Sequence, residues 1–67
     1  MPDPTVREML LARIDELVDR MRRDLDKVTT VTEQLEPERA RSCRNAITMA
    51  SVMIDEIRLR AHARRLN

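Results

Sequence analysis

Leu35-Glu36-Pro37-Glu38-Arg39-Ala40 divides this chain in two. Proline disfavours helical geometry at the residue before it, here Glu36, and fits the first position of a new helix, where its missing N–H costs nothing. Glu36 and Glu38 then stand near the positive end of that helix dipole. Every other proline lies within the first four residues, and the 67 residues include no Gly, Phe, Tyr or Trp. Strands and hairpin turns lean on aromatic side chains and on Gly. The expected fold is therefore all-α: residues 1–67 form a single antiparallel two-helix hairpin, with helix 1 at about 4–35, a turn at about 35–37 and helix 2 at about 37–65.

Outward from the turn, the first segment carries Val6, Leu10, Ile14, Leu17, Met21, Leu25, Val28 and Leu35 at spacings of three, four or seven. At helical pitch they fall within about 100° of arc. Leu11 and Val18 widen this stripe on one side, and Asp15, Glu16, Asp19, Arg22, Arg23 and Asp26 take the opposite face. Asp3 before Pro4, or Thr5 with Glu8, can cap the start. Thr29-Thr30-Val31-Thr32 is the weak stretch, four β-branched residues in a row; fraying or tightening is expected there, with Thr30 and Glu33 able to cap a separate last turn.

The second segment has an unbroken seam of Ala40, Cys43, Ile47, Ala50, Ile54, Ile57 and Ala61, alternating by three and four as in a coiled coil. Ala46, Met49 and Met53 broaden it. A second apolar row, Val52, Leu59, Ala63 and Leu66, projects roughly 160–220° from the seam. A hairpin alone gives that row nothing to cover, so it is either ordinary scattered surface or a dimer or partner contact.

Small chains bury only about 60% of the surface of their unfolded state, and no aromatic residue enlarges the burial here. Pairing two hairpins into a four-helix bundle closes both stripes at once, so a homodimer is expected. Helix 2, with its small seam residues, is the better candidate for the inner helix.

Charge is nearly balanced, 13 basic against 12 acidic residues, but unevenly spread: residues 1–36 carry net −3 and residues 37–67 net +4. This asymmetry fits mutual pairing of the helices; a basic site on helix 2 is the other reading. Twelve of the basic residues are Arg, consistent with GC-rich coding and a bacterial or phage source. The N-terminus lacks a signal-peptide pattern and no apolar run reaches membrane-spanning length, so a cytoplasmic location and no membrane partner are expected.

No constellation points to catalysis, and no cofactor or metal is expected. Cys43 lies on the seam and reads as a small buried hydrophobe despite Arg39, Arg41 and Arg44 nearby. His62 has no companion ligands at zinc spacing and reads as an exposed residue favourable to a helix C-terminus. The acidic residues of helix 1 fit surface pairs at i, i+4, namely Glu16–Arg20, Asp19–Arg23 and Arg20–Asp24. Arg13-Ile14-Asp15-Glu16-Leu17 resembles the opening helix of the all-helical chorismate mutases, but Leu11 stands where that family has Arg and no third helix is expected, so the resemblance is set aside.

Arg58, Arg60, Arg64 and Arg65 form a basic end that would contact phosphates, although no aromatic residue is present to stack bases. In length and helix pattern, without a shared motif, the chain resembles the Rop family of plasmid RNA-binding proteins, small hairpins that dimerise into four-helix bundles. That resemblance implies nucleic-acid binding as the alternative function. The leading expectation is a non-enzymatic regulatory or adaptor protein, a homodimer docking on another protein through Val52, Leu59 and Leu66, with Cys43, Ile47, Ala50, Ile54 and Ile57 forming the dimer or hairpin seam.

Overall fold

A computed structural model describes residues 4–63, with side chains from Val6 onward. Two helices, α1 (Pro4–Thr32) and α2 (Pro37–His62), pack against each other. Cross-helix partners fall in opposite order along the two helices, from Glu33 with Arg44 beside the turn to Asp15 with His62 at the open end, so the helices are antiparallel. The candidate caps of α1, Asp3 and the side chain of Thr5, lie outside the described residues.

The turn forms as Pro37 demands. Glu36 is extended (φ −55°, ψ 147°) and accepts the first hydrogen bond of α2 from the Ala40 N–H at 2.8 Å. Before it, the N–H groups of Gln34 and Leu35 donate to the carbonyls of Val31 and Thr32, each at 3.1 Å, the i→i−3 pattern of a tightening last turn. Helix 1 therefore ends at Thr32 rather than near residue 35. The threonines remain in the helix up to Thr32 and their hydroxyls bond backward to main-chain carbonyls, Thr29 to Leu25 at 2.9 Å, Thr30 to Asp26 at 3.1 Å and Thr32 to Thr29 at 3.0 Å, competing with the backbone for acceptors in the last turn. With its hydroxyl so used, Thr30 forms no separate cap with Glu33. At the far end α2 closes at His62 rather than near residue 65, where Ala63 turns extended (φ −65°, ψ 135°) and its N–H reaches the Arg60 carbonyl at 3.3 Å.

Only Val18 (2% exposed) and Ala40 (5%) are fully buried hydrophobic residues among those described. Around them Leu11, Ile14 and Leu25 of α1 and Cys43, Ile47, Ala50, Ile54 and Ala61 of α2 are half-buried. The contact line on α1 thus runs through Leu11, Val18 and Leu25, rotated toward the side that merely widens the sequence stripe. Leu10, Leu17, Met21 and Val28, expected near its centre, are left exposed, and so is Ile57 at the edge of the α2 seam. A helix facing one neighbour buries only a narrow arc, and here that arc also brings charged residues of both helices into reach of each other.

The result is one layer thick. The Cα trace spans 58 × 24 × 7 Å with a radius of gyration of 16.1 Å, against about 11 Å for a compact chain of this length.

Candidate functional site

The two broad faces of the hairpin differ in chemistry. Taking Val18 as the centre of the contact line, Arg22, Asp15 and Asp19 lie about 40–100° round α1 on one side, and Met21, Leu10, Val28 and Leu17 about 60–100° round on the other. On α2, Ser51, Arg44, His62 and Asp55 flank Ile54 on one side at similar angles, and Ile57, Ala46 and Met53 on the other. Polar groups meet polar groups across the hairpin, so both apolar flanks fall on its opposite side. Ile57 of α2 indeed shares a shallow groove with Ile14, Leu17 and Met21 of α1, bordered by Arg20 and Asp24.

The polar face is a ladder of cross-helix contacts. Near the turn, Arg44 grips Glu33 with two hydrogen bonds, Nε to Oε1 at 2.9 Å and Nη2 to Oε2 at 2.6 Å. This bond holds the Glu33 carboxyl below its usual pKa of 4.5, the slight loss of solvent acting against it, and raises that of Arg44. Midway, Arg22 donates to Asp55 and, at 3.4 Å, to the Ser51 hydroxyl. Toward the open end, Arg58 donates to the Asp19 carboxylate, and that bond raises the Arg58 pKa further. Its Nε, shielded from solvent, stands 3.5 Å from Asp15 Oδ1 without a hydrogen bond. His62 Nε2 lies 2.9 Å from the same oxygen. Half-exposed pairs of this kind fix register and orientation more than they add stability.

These partners replace those expected from helical spacing. Asp19 pairs with Arg58 rather than Arg23, Glu16 with Arg13 at 3.0 Å, and Asp24 with Lys27 at 3.9 Å. The carboxylate of Asp15 and the imidazole of His62, 47 residues apart, are brought together, a pairing that helical spacing does not foretell. The opposite charges of the two halves were the only sequence signal for the ladder.

Of the basic cluster proposed from sequence, Arg58 is engaged by Asp19 and Asp15, and Arg60 by Glu56 at 3.0 Å; Arg64 and Arg65 lie outside the described residues. Of the second apolar row, Val52 (61%) and Leu59 (66%) are exposed, and Leu66 lies outside the described residues. Leu59 borders the shallow cleft of Asp15, Asp19, Arg58 and His62. Cys43 is a half-buried free thiol. Among the described residues no group of three His, Cys, Asp or Glu side chains is placed to hold a metal ion, and no helix is long and apolar enough to cross a membrane.

Comparison with known protein families, with characterised proteins and with solved structures finds no match for this chain.

Proposed function

We propose that this chain is a non-enzymatic helical interaction protein, an adaptor, inhibitor or regulatory subunit that acts as a homodimer and docks on another protein. The observation that carries this reading is the balance of its apolar residues. Among the described residues Val18 and Ala40 alone are buried, whereas large apolar side chains on both helices remain exposed. Exposed large apolar side chains that gather on one face are characteristic of surfaces for partners.

The docking surface in this reading is the outward row of α2, where Val52 and Leu59 are joined in sequence by Leu66 and flanked by Arg residues. An apolar ridge of this kind suits a protein surface that offers an apolar groove. The alternative, a Rop-like nucleic-acid binder using Arg58, Arg60, Arg64 and Arg65, has less support, because Arg58 and Arg60 already spend their charge on Asp19, Asp15 and Glu56.

The test is capture from extracts of the native host with tagged wild-type and Leu59→Glu chains, each with and without nuclease. A protein retained by the wild type in both arms and lost with Leu59→Glu, at unchanged helicity, is the expected result. Retention that disappears on nuclease treatment would favour the nucleic-acid alternative.

A further inference from the structure

The apolar face of the hairpin is a larger surface than the outward row of α2, and it lies elsewhere. It runs along both helices, through Leu10, Leu17, Met21 and Val28 on α1 and Met53 and Ile57 on α2, opposite the ion-pair ladder. We propose that a second copy of this chain covers this face, in a face-to-face twofold dimer that leaves the ladder and the Val52–Leu59 row on the outside. This rests on the homodimer reading above and specifies its interface.

Area favours a second copy. A compact chain of 7.9 kDa exposes about 4,400 Å², whereas this hairpin exposes 6082 Å². A single globule of twice the mass exposes about 7,300 Å². Merging two hairpins into one would therefore remove about 4,800 Å² in total, at the upper end of the range of obligate homodimers. A short peptide laid on the face would leave most of that excess in water.

Layering gives the same answer. A stable domain needs two packed layers around one core, and this molecule has one, 7 Å deep at the Cα positions. Stacking a second hairpin on the apolar side supplies the missing layer with side chains of the same kind and length. The margin of the face also tolerates its own copy: Arg20 and Asp24 border the groove, and Arg60 is neutralised by Glu56 on the α2 side. A margin of mixed sign does not repel a twofold-related copy, as a margin of one sign would.

The experiment is sedimentation equilibrium of the full chain from 1 to 100 µM on wild type, Met21→Glu/Ile57→Glu and Leu59→Glu, with helicity recorded on each. A wild-type dimer is expected, retained in Leu59→Glu and weakened about 100-fold or more by the double substitution, which puts two charges into a desolvated interface. A wild-type monomer that stays helical across this range would overturn both the interface and the homodimer reading. A dimer indifferent to Met21→Glu/Ile57→Glu would overturn the interface alone and leave the homodimer reading standing. Because the double variant is at risk of unfolding, isotope-filtered NOE spectra of a mixed labelled wild-type sample provide an independent readout. Intermolecular cross-peaks from the Met21, Met53 and Ile57 methyl groups are expected; cross-peaks confined to Val52 and Leu59 would place the contact on the wrong face and overturn the interface.

Discussion

Arg58 of α2 donates to Asp19 of α1 across the hairpin, with Asp15 at its Nε, so the basic end of the second helix is held by the acidic stretch of the first. If this pair sets register, Arg58→Asp and Asp19→Arg each lower the thermal midpoint, and the combined swap recovers most of the loss. The effect should shrink at 1 M salt, where screening reaches to about 3 Å. Additive losses in the double variant, read from melting curves at one fixed protein concentration, would show that the two side chains act independently.

The same pairing bears on polyanion binding. Asp19→Asn removes the main partner of Arg58 and is expected to raise the salt needed to elute the protein from a heparin column. A wild type that already binds tightly, with no change on Asp19→Asn, would mean that Arg58 takes no part in such binding.

Val18 is the centre of the contact line, and Val31 lies in the open at 64% exposure. Val18→Ala is expected to cost about 2 kcal/mol of unfolding free energy through the methyl groups and cavity it leaves. Val31→Ala should fall within about 0.5 kcal/mol of the wild type. Urea titrations of both at equal concentration check the contrast, and equal losses would refute the assigned contact line.

Glu33 has its folded-state pKa lowered by the hydrogen bond from Arg44. Its contribution to stability is present above the unfolded value near 4.5 and is lost as pH falls through the lower folded value. Glu33→Gln should therefore reduce the difference in unfolding midpoint between pH 7 and pH 3 without abolishing it, since other carboxylates also gain protons there. An unchanged difference would dismiss the pair as a source of acid sensitivity.

Pro37 restricts the unfolded chain and fits its helical position without strain. Pro37→Ala is expected to lower stability by about 0.4–1 kcal/mol while leaving helicity intact, as measured by circular dichroism and urea unfolding together. A gain in stability would mean that the turn is set by the flanking contacts rather than by the proline.

Much of the architecture is legible in local chemistry. Pro37 places the turn, and the three-and-four spacing of Cys43, Ile47, Ala50 and Ile54 marks the side of α2 that meets α1. The ends of the helices are less legible. Back-bonding by Thr29, Thr30 and Thr32 and the i→i−3 bonds at Gln34 and Leu35 close α1 early, and hydroxyl choice among nearby acceptors is not written in spacing.

The sequence by itself determines two amphipathic helices, their meeting at Pro37 and a surplus of apolar residues over what one hairpin can bury, because these follow from backbone restriction and a 3.6-residue period. Only the tertiary structure decides which part of the α1 stripe turns inward. Leu11, Val18 and Leu25 are buried or half-buried there, while Leu10, Leu17 and Met21 are not. The physical reason is that rotation about a helix axis is chosen by both flanks together. The arc that seats Val18 also lets Asp15, Asp19 and Arg22 reach Arg58 and Asp55, and the charges so satisfied leave the apolar residues gathered on the other face.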